Sequence, residues 1–256
     1  MTLPDSSLRE ITAAYMNVIR DIADNDRSYQ AGNGMTMAVT GSAIAALNGI
    51  VSPHLEQDPD VLEQLANRAI QLGVPWSIQV RRVPHPYVIA LAARHGLTEI
   101  TELPMMVRRS AALPLRGMPQ SELRLRPVDS DSLATYVEVM ADCFGVHRDA
   151  FAIFDNPDLL QKKEFTFYLA EVRNELVGTG MAALSGSGLL GVFNIGVLPR
   201  HRRQGHGLAI TTEILRAHGG PSATTAYLYA SPMGESVYYS AGFRTEEKLT
   251  IFTAPT

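Results

Sequence analysis

A single cysteine, Cys143, in 256 residues excludes an intrachain disulfide and any cysteine-built metal cluster. No apolar run approaches the ~18 residues of a membrane helix. The start, Met1-Thr2-Leu3-Pro4-Asp5, lacks the basic-then-apolar order of a signal peptide, so a cytoplasmic chain with no membrane partner is expected. A formal charge of -4 leaves no footprint for nucleic acid. With 46% hydrophobic and 19% charged residues, the chain is expected to be globular and long enough for two ordinary domains.

Against these absences stands one dense stretch. Phe193-Asn194-Ile195-Gly196-Val197-Leu198-Pro199 reads as a strand, and it is followed by Arg200-His201-Arg202-Arg203-Gln204-Gly205-His206-Gly207 and a helix-like run over 208–217. A strand, a glycine-bearing turn and a helix start make an anion cradle. Glycines let a phosphate approach the backbone, the free amides of the first helical turn point at it, and the helix dipole favours its charge. The rival glycine loops fit poorly. A phosphate-binding Walker loop needs Gly-Lys-Ser or Gly-Lys-Thr, and this turn continues Gly207-Leu208-Ala209. A dinucleotide fingerprint needs a third glycine where Ile210 stands and an acidic residue near position 227, and neither is present.

Arg202-x-x-Gly205-x-Gly207 behind a Val-x-Pro strand end resembles the acyl-CoA pyrophosphate loop of the GCN5-related N-acetyltransferase (GNAT) superfamily. A second signature lies at the distance that superfamily requires. After a strand-like run over 223–230 comes a short helix with Tyr238 four residues before Gly242-Phe243, similar to the superfamily's closing helix and its tyrosine. The resemblance covers roughly 121–256 and implies a mixed α/β fold with a central, mostly antiparallel sheet that splays at the cofactor site. It implies acetyl-CoA as cosubstrate, no metal, and transfer of an acetyl group to a primary amine of a small molecule or protein. A longer acyl donor, or a non-catalytic acyl-CoA sensor or interaction module, remains the alternative. A monomer or homodimer is expected.

The boundary is placed at 111–121, where two prolines and a glycine break the periodicity, giving a domain at 1–115 and a catalytic domain at 121–256. In the latter, strands are expected over 123–127, 165–172, 176–184 and 189–198, with a helix over 133–144 capped by Asp129 or Ser130. The first half repeats part of this plan: a strand pair in 36–47 turning at Gly41-Ser42, a helix over 59–72, a strand over 75–80, a helix over 86–95, and a strand ending near Val107. Before its first helix it has Ser52 to Asp58 and no glycine turn. It is therefore either a degenerate acetyltransferase-like domain that binds no cofactor or an unrelated helical cap.

The resemblance also implies roles. Backbone groups of Ile195 and Val197 would bond the pantetheine arm, and Arg202, Arg203, Gln204, Gly205, His206, Gly207, Leu208 and Ala209 would hold the pyrophosphate, mainly through amides. Tyr238 would be general acid, or at least hydrogen-bond donor, to the departing thiolate, with Tyr239 the competing assignment. The superfamily's glutamate base is replaced by Phe193. Asn194 orients but cannot accept a proton, and the nearest carboxylates in sequence are Glu171 and Glu235. The apolar segment 144–154 either lines an acceptor pocket or packs on the first half, with His147 and Asp149 as polar anchors. Cys143 reads as a small buried hydrophobe.

Overall fold

The computed structural model describes residues 2–23, 27–31, 33–109, 122–220 and 223–255. Two compact units emerge, one made of Met1–Met105 with Glu246–Thr256, the other of Met106–Thr245.

The first unit opens with α1 (Asp5–Ile22), which buries Leu8, Ile11, Thr12, Met16 and Ile19 along one stripe at helical spacing. Strands β1 (Ser28–Gln30), β2 (Thr36–Val39) and β3 (Asn48–Val51) come next. The partner of β2 is β3, paired antiparallel from Thr36↔Val51 to Val39↔Asn48, and not a segment within 36–47 as expected. The buried Asn48 side chain explains the longer connection. Its amide donates to Ser42 O (2.7 Å) and Pro75 O (2.7 Å), and its oxygen accepts from Gly41 N (2.9 Å), so the intervening loop is needed to satisfy it. Then come α2 (Pro59–Gln71), β4 (Ser77–Arg81), parallel to β3, α3 (Pro86–Arg94) and β5 (Glu99–Arg109). Asp58 caps α2, accepting from Asp60 N (3.0 Å) and Val61 N (3.2 Å), and Pro59 sits after it at the position where its missing N–H costs nothing.

The second unit contains β6 (Leu123–Pro127), α4 (Leu133–Phe144), β7 (Phe165–Val172), β8 (Glu175–Leu184), β9 (Leu189–Val197), α5 (His206–His218), β10 (Thr225–Tyr229) and α6 (Glu235–Ser240). The strands run in the order β10-β9-β8-β7-β6, antiparallel except for β9 with β10. Arg173 (φ 52°) and Asn174 (φ 65°) make the tight turn between β7 and β8. The expected cap of α4 is corrected: Ser132 is the N-cap, and Asp129 binds that serine, accepting from its N–H (3.0 Å) and its hydroxyl (2.6 Å). Between α4 and β7 the chain makes two 3-10 turns, Arg148–Phe154 and Pro157–Gln161.

The expected break at 111–121 lies outside the described residues. The end of the chain departs from the expected 121–256 division. Strand β11 (Arg244–Thr253) pairs antiparallel with β4, from Leu249↔Arg81 to Thr253↔Ser77, so the chain from Glu246 onward packs with the first unit. A buried ion pair fixes this register. Arg81, fully buried, donates Nε to Glu247 Oε1 (2.6 Å), Nη2 to Glu247 Oε2 (3.0 Å) and Asp5 Oδ1 (2.8 Å), and Nη1 to Pro53 O (2.8 Å). Replacing Glu247 by Ala strands that guanidinium without its main counter-charge. The expected outcome is a loss of about 3 kcal/mol, measured by denaturant unfolding, whereas Lys248→Ala, which removes an exposed pair with Glu102 (2.5 Å), should cost under about 1 kcal/mol.

Candidate active site

The site begins where two parallel strands part. β9 and β10 pair from Leu189↔Thr225 to Gly191↔Tyr227, after which β9 runs on to Val197 paired with β8. At the fork the Phe193 ring folds back over Gly191 and meets Tyr227 edge-on, with centroids 5.7 Å apart. A Cβ on Gly191 would lie 2.3 Å from Phe193 Cε2, so only glycine admits this wedge. Beyond it, Leu198 N donates to Val177 O on the β8 side (2.9 Å). Because an antiparallel strand alternates its hydrogen-bonding direction, Ile195 and Val197 turn their backbone groups away from β8, toward the gap.

The turn after β9 supplies the cradle. Arg203 (φ 61°) and Gly205 (φ 83°) are both left-handed, and the latter is the N-cap of α5. The first amide to close onto the helix is Ala209 N, which donates to Gly205 O (3.1 Å), leaving His206, Gly207 and Leu208 as the open first turn. An ideal Cβ at Gly205 meets open space, yet its φ makes any side chain strained there. Arg202 is a brace more than a ligand: Nη2 donates to Cys143 O (2.9 Å) and Nε to Val197 O (3.3 Å), tying the end of α4 to the end of β9.

Gap and cradle form one cavity of about 810 Å3. Of the expected ligands, Ile195, Val197, Arg202, Arg203, Gly205, His206, Gly207 and Leu208 line it together with Tyr238. Gln204 and Ala209 do not; they line a cavity of about 380 Å3 with Leu123, Val172 and Arg216. Tyr238 and Tyr239 are separated by the helix they share. Tyr238 faces the cavity against Phe243, and burial pushes its phenol up to about 12. Tyr239 is 42% exposed and bonds Glu235 Oε1 (3.2 Å) and Thr245 Oγ1 (2.8 Å). The His206 ring is half-buried and stands edge-on to His201 (6.1 Å), and burial, then the charge of His201, lowers its pKa.

Neither nearby carboxylate lines this cavity. Glu171 pairs with Arg126 (2.8 Å), and Glu235 accepts from the Tyr239 and Thr245 hydroxyls. The apolar segment 144–154 packs within its own unit: Phe151 stands edge-on to Phe144 (5.5 Å), and Phe154 to Phe167 (6.2 Å). Of this segment, Phe144, 48% exposed, and Gly145 reach the cavity. His147 caps the next turn through Asp149 N (3.4 Å), with both side chains exposed.

With this geometry in place, comparison with known proteins is specific. The acetyltransferase (GNAT) family model matches residues 133–232, spanning α4 through the turn after β10. A GCN5-related N-acetyltransferase from Kribbella flavida is 17% identical with a TM-score of 0.67, over 97% of this chain and 96% of that one. A protein of unknown function from Staphylococcus epidermidis is 13% identical with a TM-score of 0.63, over 89% and 93%. A Drosophila protein is 16% identical with a TM-score of 0.56, over 100% and 98%. No curated protein sequence matches. The chain has the GNAT fold.

Sequence reading missed His201, Met233, Ser236 and Val237 in the lining. Their only signal was proximity to the motif residues. Among the described residues no group of three or more His, Cys, Asp or Glu is placed to hold a metal ion, and no helix is long and apolar enough to cross a membrane. Cys143 is buried, and desolvation pushes its thiol up to about 12. It stays protonated through neutral and mildly alkaline pH. Iodoacetamide at pH 8.5 should therefore alkylate it on the order of a hundredfold more slowly in the native protein than in urea, as read by mass spectrometry. Comparable rates would mean that the site opens freely.

Proposed function

We propose that the protein transfers an acetyl group from acetyl-CoA to a primary amine. The observation that carries this reading is the coincidence, in one cavity, of strand backbone at Ile195 and Val197 that turns away from β8, an open helix N-terminus at 206–208, and Tyr238. The first suits an extended amide-bearing arm. The second suits a pyrophosphate, with Arg203 adding charge. Acetyl-CoA supplies the activated acyl group, and this chain's residues hold it and relieve the charge on its departing sulfur.

The amine nitrogen bonds to the acyl carbon as the carbon–sulfur bond breaks, and the negative charge appears on sulfur. Tyr238, with a pKa pushed up to about 12, is fully protonated at neutral pH. A thiol near 8.5 is the stronger acid, so complete transfer from the phenol would cost about 5 kcal/mol. Its role is therefore to donate a hydrogen bond to the thiolate, while the amine's proton leaves to solvent. The first unit is proposed to bind no CoA. Its topologically equivalent helix start, at α2, is occupied by the Asp58 carboxylate, which takes the amides an anion would need. The absence of a carboxylate from the cavity lining, among the described residues, is what favours the second reading, an acyl-CoA sensor.

Calorimetric titration with CoA should give one site per chain; two would overturn the assignment of the first unit. A Cβ at Gly207 would reach toward Val237 and Val197, both cavity residues, without a strained φ. Gly207→Val should therefore weaken CoA at least about tenfold in a folded protein. Tyr238→Phe should lower kcat about tenfold with little change in CoA affinity, read by thiol release across amine acceptors. Because Tyr238 and Cys143 are both pushed up to about 12, they do not shape the profile below about pH 9. The rate should rise with pH and level off at the acceptor's own pKa. CoA binding without turnover on broad amine panels would establish the sensor.

A further inference from the structure

The outward turn of Ile195 and Val197 depends on a defect in β9. The register of β8 with β9 slips between Thr179↔Gly196 and Met181↔Phe193, so that Asn194 and Ile195 together oppose Gly180. At the slip Asn194 adopts φ 51°, a left-handed conformation that asparagine tolerates better than most side chains. Three partners hold it. Thr179 Oγ1 donates to Asn194 O (2.9 Å), Asn194 Nδ2 donates to Tyr136 Oη (3.1 Å), and the same amide rests against Met181 Sδ (3.6 Å). Tyr136 and Thr179 are fully buried, and the Tyr136 ring is itself fixed edge-on to Phe167 (5.4 Å).

We infer that Tyr136, through Asn194, is a positioning residue for the pantetheine arm: its hydroxyl locks the bulge that turns the backbone of Ile195 and Val197 into the cavity. The inference rests on the proposed reading of that cavity as the acyl-CoA site. The physical reason for the lock is that a bulge leaves the strand with an extra residue free to slide or flatten. A slip by one residue would exchange the groups facing β8 with those facing the gap. Thr179 fixes the backbone oxygen of the bulged residue, and Tyr136, on α4, fixes its side chain. None of these side chains lines the cavity, so their effect on a ligand passes through the strand.

The test separates arm recognition from cradle recognition. CoA and adenosine 3′,5′-diphosphate, which has no pantetheine, are titrated into the full-length protein and into Tyr136→Phe, which removes only the hydroxyl and keeps the ring. CoA affinity should fall about tenfold, the loss of one buried hydrogen bond and the order it imposes, while the affinity of the fragment stays within about twofold. Asn194→Gly keeps the left-handed backbone accessible while removing the tie. It should show the same split, and it decides the matter if Tyr136→Phe does not fold. Unchanged CoA affinity, or equal losses for both ligands, would overturn the inference. Failure of the parent protein to bind either ligand would instead overturn the acyl-CoA reading itself, and the inference with it.

Discussion

Everything at this site depends on two strands that stop pairing. A parallel pair is held by slanted backbone bonds, and its residues have no reason to part unless something occupies the gap or the strand changes course. Here both happen within a few residues. The Phe193 ring folds onto Gly191 at the last paired position, and the bulge at Asn194 redirects the remainder of β9. The backbone thereby exposed would be a liability on an ordinary sheet edge, since unpaired N–H and C=O groups invite association with another chain. In the concave setting between α4, α5 and α6 it lines the cavity, where the proposed reading has it meet a ligand's amides without side-chain chemistry. The brace from Arg202 to the carbonyls of Cys143 and Val197 holds the walls of that setting together.

The same economy governs the anion end. Gly205 is needed because φ 83° lets α5 begin immediately after the turn, and an immediate start leaves amides pointing into the cavity instead of into a capping side chain. The first unit solves the same helix-start problem in the opposite way. Its α2 is capped by a carboxylate, which stabilises the helix by about 1 kcal/mol and forecloses an anion. One helix N-terminus has its amides taken by a capping carboxylate, and the other has no side-chain cap.

The elements of the second unit were legible because their signals are local. The strands expected over 123–127 and 165–172 are β6 and β7, and α4 matched its expected bounds residue for residue. The cradle was legible because glycine spacing and strand-end chemistry are written contiguously. What stayed hidden was set by contacts distant in sequence. The pairing of β11 with β4 depends on Arg81 and Glu247, which nothing local links. The loop before β3 is dictated by Asn48 reaching to Pro75. The lock on Asn194 joins α4, β8 and β9. At α1 the fault lay elsewhere, since its apolar stripe is regular and carries no motif to draw attention. The choice between Tyr238 and Tyr239 is one of helical phase, and a short helix offers too few turns for sequence periodicity to fix it.

Phe193 is the residue where sequence and structure together say most about chemistry. A carboxylate at that position would sit at the fork, beside Tyr227, in surroundings that disfavour its charge and raise its proton affinity, which is how a base is tuned. Phenylalanine has no such proton to exchange and instead packs on Gly191 and Tyr227 at the fork. Tyr238 and Cys143 are both held in their protonated forms at neutral pH, and burial lowers the pKa of His206 at the anion end. In the proposed reaction, with no carboxylate in the cavity lining among the described residues, the amine's proton leaves to solvent. The proposed reaction would favour amines that are already partly neutral where it works over a lysine-like ammonium, whose free-base fraction near pH 7 is on the order of one in a thousand. On that proposal the acceptor is narrowed by its acidity, and the narrowing originates at Phe193, where a ring stands at the fork between the two strands.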